Sequence, residues 1–411
     1  MKDDQQGSVA MSFTEKMSAM MELLRLINTD DLIKETSYKS WTSLDGTSIV
    51  ATDSNTYFIV IELLAIENST IASRFSRKTI YKFIEDRLPK IKRSGEIPVS
   101  AEVFFSELLE QQPTSMKITV PISGIRLDDG IREFELACFN FGYLQDLEMP
   151  LANQKGMYIS TTISEVYDKE IAYEKAENAF LNFGKLIVFL AGKQDKSILI
   201  ETGLPLKPDM SHELMYVSTN SYQIRDAKGF MSTGDIRNKT IEKIPVNNQF
   251  FTSREELGKL WGLYERKHRG AKLQDLEARI LNTALALGES ASTKDMRNSI
   301  LYTCIALEVL FSHNDASLFQ KSIGQNVADL FAFIVAKDVN GRKHVAKLTK
   351  KVYGMRSAIV HGGDKELSND NITVNHFMRG ALTELLTAER FKDTKRLSTI
   401  YDMMQDAQYS Y

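Results

Sequence analysis

The chain has 411 residues, too many for one ordinary core and suited to two domains, and its formal net charge of −3 excludes a uniformly basic protein while leaving room for a local basic patch. Hydrophobic residues make up 43% and charged residues 26%, a globular balance. No apolar run reaches the ~18–20 residues a membrane helix needs, and MKDDQQGSVA lacks the basic start and hydrophobic stretch of a signal peptide, so the expectation is a cytoplasmic protein with no membrane association.

In chain order, a helix is expected over 11–28, followed by a strand-rich region. SLDGTSIVA carries Asp45-Gly46 between extended segments, a hairpin signal. NTYFIVIELLAI is a buried strand or the start of a buried helix, and periodicity alone leaves both open. SMKITVPIS puts Met116, Ile118, Val120 and Ile122 on one face of a strand. With LDDGIREFELACF it reads as a hairpin that turns at Asp128-Asp129-Gly130. MYISTTI, SILIE and ELMYVSTNSYQIR are further strands, interrupted by a long helix over 168–191.

From Phe251 onward strand signals stop. Ser253 and Glu256 have capping-box spacing, and Leu257, Leu260, Trp261 and Tyr264 follow at helical intervals. Further helices are expected near 272–287, 294–312, 321–336, 342–361 and 375–392. In the fourth of these, Val345, Leu348, Val352, Met355 and Ile359 alternate at steps of three and four, a helix–helix seam. The fold class is therefore α+β: a mixed, strand-rich domain over 1–250, with its boundary near 245–252, and an all-helical domain over 251–411.

The stretch YGMRSAIVHGG closes that seam helix. Arg-x4-His is a weak pattern alone, but Gly362-Gly363 is a helix stop and sets His361 at a helix C-terminus. A histidine there suits proton transfer near neutral pH. Arg356 flanks the apolar seam and calls for an anionic partner, phosphate or carboxylate. Glu308 lies in SILYTCIALEVLF, a helix apolar almost all round; it either pairs with a structural lysine or arginine or orients Arg356. Lys337, Arg342, Lys343, Lys347, Lys350 and Lys351 run toward Arg356 against one acid, Asp338, and a second basic cluster spans Arg266 to Lys272. A cationic track of this kind suits a polyanion such as RNA, with Lys343, Lys347, Lys350 and Lys351 as its contacts.

With ALEVLF in a central helix and VYGMRSAIVHGG closing a later one, residues 255–395 resemble the HEPN (higher eukaryotes and prokaryotes nucleotide-binding) superfamily, closest to its Apea-like branch. The resemblance implies a metal-independent endoribonuclease, a toxin or antiphage defence effector that cuts RNA, often transfer RNA, as a homodimer with two Arg/His sets in one cleft. It makes Arg356 the phosphate binder, His361 the acid or base during 2′-OH attack, Glu308 the residue that orients the arginine, and Ser357 an auxiliary hydrogen-bonder. The N-terminal domain would then sense a phage-derived or other trigger, or recruit substrate. Two positions depart from the family pattern: Gly363 stands where some HEPN toxins carry a modifiable tyrosine, and Ser357 where asparagine, aspartate or histidine is usual.

Geometry limits the motif. Residues five apart on an intact helix diverge by about 140°, so the last turn unwinds, arginine's length closes the gap, or the two residues act across a dimer seam. The other readings are a non-catalytic module that dimerises and binds RNA or nucleotide, and a structural adaptor with a chance motif. His212, His268, His313, His344 and His376 have no ligand-like spacing, so no metal is expected, and no phosphate-loop or dinucleotide fingerprint calls for a cofactor. Cys138 and Cys304 each sit in an apolar segment and read as two reduced, buried thiols.

Overall fold

The computed structural model describes residues 11–27, 39–42, 48–128, 130–147, 156–192, 198, 200–203, 214–225, 231–312, 323–363 and 365–409. The chain is α+β and divides into two compact units, Met1–Met116 with Ile163–Lys175, and Lys117–Thr162 with Ala176–Tyr411.

The first unit is more helical than its sequence suggests. Helix α1 (Phe13–Leu23) opens on a reciprocal capping box between Ser12 and Glu15. It stops short of residue 28, because Leu24–Ile27 becomes strand β1 and pairs with β3 (Ser48–Ala51), which also pairs with β2 (Lys39–Thr42). The Asp45-Gly46 turn lies outside the described residues, but β2 and β3 on either side of it are antiparallel, with Thr42 opposite Ser48.

The ambiguous segment NTYFIVIELLAI is helix α2 (Ser54–Ile66). The Asp53 carboxylate accepts the backbone N–H groups of Asn55 and Thr56 at 3.0 and 3.2 Å, and Tyr57, Val60, Ile61 and Leu64 are buried at intervals of three and four. Helices α3 (Ser69–Arg74), α4 (Arg77–Ser94), α5 (Ala101–Phe104) and α6 (Ser106–Leu109) follow, in a stretch expected to be strand-rich. In α4 the basic residues and Pro89 obscure a regular inner stripe of Ile80, Phe83, Ile84 and Leu88, and Gly95 ends it in the left-handed region at φ 74°. Phe83, Phe104 and Phe105 pack with ring centroids 4.8–5.7 Å apart. The buried carboxylate of Asp168 accepts the Ser76 N–H at 2.7 Å and the Ile171 N–H at 2.8 Å, so one side chain serves the starts of two helices.

A five-stranded sheet in the order β6-β7-β8-β4-β9 comprises β4 (Thr114–Ser123), β6 (Phe134–Leu136), β7 (Phe139–Tyr143), β8 (Met157–Val166) and β9 (Glu201–Thr202); all of it but residues 114–116 and 163–166 belongs to the second unit. Along β4, Met116, Ile118, Val120 and Ile122 share a face and grow more buried toward the C-terminal end. The expected hairpin through 128–130 does not form. After β4 the chain leaves the sheet as β5 (Ile125–Arg126) to pair in parallel with β12 (Ile244–Pro245), and β6 pairs with β7 across Ala137-Cys138, with Ala137 at φ 54°. Asp129 itself is outside the described residues. Helix α7 (Lys169–Ala191) matches its expected span, and β10 (Leu214–Arg225) with β11 (Met231–Glu242) forms a long antiparallel ribbon.

The helical part comprises α8 (Gln249–Thr252), α9 (Glu255–His268), α10 (Asp275–Ser292), α11 (Met296–Phe311), α12 (Ile323–Val335), α13 (Val339–His361), α14 (Asp370–Thr387) and α15 (Leu397–Tyr409). Ser253 does not cap α9: Arg254 occupies that position and Glu256 forms an ion pair with it. The composition change at 245–252 falls inside the second unit, not between units. Trp261 and Tyr264 of α9 stack on Phe183 and Phe139 at 6.1 and 5.7 Å, which joins the helices to the sheet in one core. At Gly288 on α10 an added Cβ would stand 2.0 Å from the Lys185 carbonyl oxygen of α7, so the two backbones touch there.

Between α10, α11 and α14 lies a buried cluster of neutral polar groups. Ser290, Ser299, Thr303, Asn371 and Asn375 are each at most 9% exposed. Thr303 Oγ1 donates to Asn375 Oδ1 at 2.9 Å, Asn375 Nδ2 donates to Ser290 Oγ at 3.1 Å, and Asn371 Nδ2 donates to Ser299 Oγ at 3.0 Å. No helix among the described residues is long and apolar enough to cross a membrane.

Candidate functional site

Helix α13 packs on α11, α12 and α14 through Val345, Thr349, Val352 and Met355, the inner side of the expected seam, with Leu348 and Ile359 half-buried beside them. Asp338 caps its start by accepting the Gly341 N–H at 2.9 Å. At its end Gly362 takes the left-handed conformation at φ 70°, and the N–H groups of Gly362 and Gly363 both bond the Ala358 carbonyl. The helix therefore stays intact through His361, and of the three ways to join Arg356 with His361, unwinding of the last turn is not the one adopted.

Arg356 leaves α13 on the side of α11. Its Nη2 stands 3.9 Å from Glu308 Oε1, with the two side chains 39% and 35% exposed. Glu308 is thus not the enclosed carboxylate its apolar neighbours suggest. Ser299, Ile300, Thr303, Cys304, Ala306, Leu307, Leu310 and Phe311 take the inner positions of α11 and leave Glu308 at the rim. On the same faces stand two exposed apolar side chains, Ile305 one turn before Glu308 and Val360 one turn after Arg356, 45% and 52% exposed. Beneath the pair, burial and the Glu308 carboxylate push the Cys304 thiol up to about 12. Burial, then Glu308, also drives the Tyr353 hydroxyl upward, and that hydroxyl is enclosed without a hydrogen-bond partner.

His361 and Ser357 are exposed on a different face. Steps of four, three, four, three and four carry the helix from Lys343 through Lys347, Lys350, Gly354 and Ser357 to His361, so these positions form one stripe roughly 27 Å long. Lys343, Lys347 and Lys350 are exposed, and no acid among the described residues lies within ion-pair distance of them. Lys351 flanks the stripe but is bound to Asp370 at 2.5 Å. Lys365, which composition and spacing do not single out, lies with its ammonium over Gly354 and fills the one gap in the stripe. Only the chain reversal after Gly362 brings it there, so no local signal marks it.

The second basic cluster is not a free patch. Arg266 pairs with Glu277 at 2.6 Å and Arg269 with Glu265 at 2.5 Å, and Lys267 bonds Asn282 at 3.2 Å. His268 Nε2 lies 3.1 Å from Thr161 Oγ1 and 3.3 Å from the Thr162 carbonyl, and burial holds the imidazole below the usual histidine range. Cys138 is half-buried and Cys304 buried, both as free thiols, and burial pushes Cys138 up to about 12 as well. Neither is poised as a nucleophile at neutral pH. Among the described residues no group of three or more His, Cys, Asp or Glu could hold a metal ion; His212 and His313 lie outside them.

Chemically, the end of α13 offers a guanidinium 3.9 Å from a carboxylate, an accessible imidazole, and a track of cations on the imidazole's face. No protein-family model matches the chain, and no curated protein or solved structure matches it.

Proposed function

We propose that the chain is a metal-independent endoribonuclease of HEPN type that works as a pair of copies, a toxin or antiphage effector acting on RNA with transfer RNA among its candidate substrates. The observation that carries this is the stripe of Lys343, Lys347, Lys350 and Lys365, which leads along one face of α13 to His361. Cations in that arrangement track a phosphate backbone, and the track ends at a group able to move protons. Arg356 and His361 diverge by about 140° on the intact helix, so one chain does not aim both at one phosphate. Two copies do if the rim carrying Ile305 and Val360 is covered by its counterpart, which also removes exposed apolar surface.

In the resulting cleft, His361 of one copy takes the proton of the ribose 2′-OH as that oxygen attacks phosphorus. The bond to the 5′-oxygen breaks, and His361 of the second copy protonates the leaving oxygen. Arg356 neutralises charge on the non-bridging oxygens, with Glu308 holding the guanidinium in place and Ser357 hydrogen-bonding the backbone. The first unit supplies the trigger sensing or substrate recruitment.

The test is incubation of purified protein with total RNA in EDTA. Fragments ending in 2′,3′-cyclic phosphate from the wild type, and none from Arg356→Ala or His361→Ala, support the nuclease. The divergence of the two side chains on an unbroken helix also favours a second reading, a non-catalytic RNA-binding module. Salt-sensitive RNA binding by wild type and both variants alike, with no fragments from any, would select it.

A further inference from the structure

A cavity of about 320 Å³ opens in the second unit where the end of α7 meets α9 and α14. Its walls are apolar, with Phe189 from α7, Leu257 and Leu260 from α9, and Leu382 and Leu386 from α14. Into it α14 projects Arg379. The guanidinium stands 4.6 Å over the Phe189 ring, and its Nη1 lies against Gly192, the left-handed residue (φ 73°) that follows α7.

What sets Arg379 apart is its lack of an anion among the described residues. Arg279 has Asp275 at 2.8 Å and the Val309 carbonyl at 2.8 Å, and Arg390 has Glu384 at 3.0 Å and the Ile334 carbonyl at 3.1 Å. Arg379 has no carboxylate and no hydrogen-bond acceptor among the described residues. Among the described residues its charge is met by the face of the Phe189 ring. The other ionisable side chains at the cavity are Arg254, Glu256 and His376, and the single acid among the described residues there, Glu256, is taken by Arg254. Among the described residues the Arg379 charge is left without a counter-ion. Burial alone pulls the guanidinium down to about 10, a sign that its charge is exposed to a poorly solvating environment. The carbonyl end of α7 offers partial negative charge, but no hydrogen bond reaches it, so a helix-end role accounts for only part of the arrangement. A half-buried cation with no partner among the described residues is costly unless something else supplies one.

We propose that this cavity is a binding site for a small organic anion, a carboxylate or phosphate head on an apolar body. Arg379 takes the head group through its planar fork, and Phe189 and the surrounding leucines take the body. The volume is at the lower end of small-molecule sites, roughly 300–1,000 Å³, which limits the ligand to one ring or a short chain. The site is separate from the Arg356–His361 rim and does not depend on any nuclease activity.

The experiment titrates the full-length protein with benzoate, phenyl phosphate and the neutral benzyl alcohol, read by saturation-transfer NMR and by the unfolding midpoint. At least one anion is expected to bind saturably and about tenfold or more tighter than benzyl alcohol, the worth of a charged hydrogen bond, and the preferred anion identifies the head group. Arg379→Gln removes that preference. Thr383→Glu, which places a carboxylate one turn along α14 from Arg379, keeps the arginine, abolishes anion binding and raises the unfolding midpoint. This second variant decides the matter if Arg379→Gln does not fold. Anions that bind no better than benzyl alcohol, or anion binding unchanged in Thr383→Glu, overturn the proposal.

Discussion

At the rim of α13 and in the interior between α10, α11 and α14, the second unit treats polar groups in two different ways. At the rim the groups are charged and loosely held: Arg356 and Glu308 approach to 3.9 Å with more than a third of each side chain in solvent, and His361 is exposed. In the interior they are neutral, buried and close, with Ser290, Ser299, Thr303, Asn371 and Asn375 bonded at 2.9–3.1 Å. Water competes for every bond at the rim and for none inside. Folding free energy should therefore reside in the interior set, while the rim charges stay available to an incoming phosphate.

The largest effect expected from breaking this contrast is at Asn375. Asn375→Leu removes one partner each from Thr303 and Ser290 in a dry site, though both keep bonds to Ser299 and to each other, and about 1–3 kcal/mol of stability should be lost, measured by urea unfolding. A destabilisation under 0.5 kcal/mol would mean that the interior does not carry the energy assigned to it.

Next comes Asp168, a charged group treated like the interior ones. Burial raises its carboxyl, but the N–H groups of Ile171 and Ser76 outweigh that and hold it below the usual carboxylate range. Because the folded-state value is depressed, its stabilisation is present above the unfolded value, near 3.9, and is lost as pH falls below that toward the folded value. Asp168→Ala should cost about 1–3 kcal/mol at pH 7, with the deficit shrinking below pH ~4. A deficit independent of pH across that window would sink the assignment.

At the rim the stability effects should be small. Arg356→Ala and Glu308→Ala are each expected to change stability by less than about 1 kcal/mol, even where Arg356→Ala removes cleavage. Smallest of all is the triple change Lys343→Ala, Lys347→Ala, Lys350→Ala, expected to leave the unfolding midpoint unchanged. It should instead lower the slope of log affinity for single-stranded RNA against log salt by about 2. An unchanged slope would remove the stripe from the binding surface.

What the sequence disclosed of all this follows from how local each feature is. α9 and α13 were legible because Leu257, Leu260, Trp261 and Tyr264, and Val345, Val352 and Met355, repeat at helical spacing on sides that are indeed buried. The glycine stop after His361 was legible for the same reason. α4 was hidden by its lysines, arginines and Pro89. The β6–β7 turn was hidden because Ala137-Cys138 lacks turn chemistry. Glu308 was misplaced because an apolar run does not tell which of its positions faces out. Lys365 over Gly354 and the placing of Arg379 over Phe189 are tertiary facts, set by residues distant in sequence.

The hydroxyl and amide groups that tie α10, α11 and α14 together also act as a detent. A seam of leucines alone would let one helix creep along its neighbour by a fraction of a turn at modest cost, since one methyl group substitutes for the next. Here any such creep parts Thr303 from Asn375 and Asn371 from Ser299 at once, with no solvent to replace them. The three helices should therefore click apart together rather than drift, and intermediate slippage should be missing from hydrogen-exchange records of this bundle.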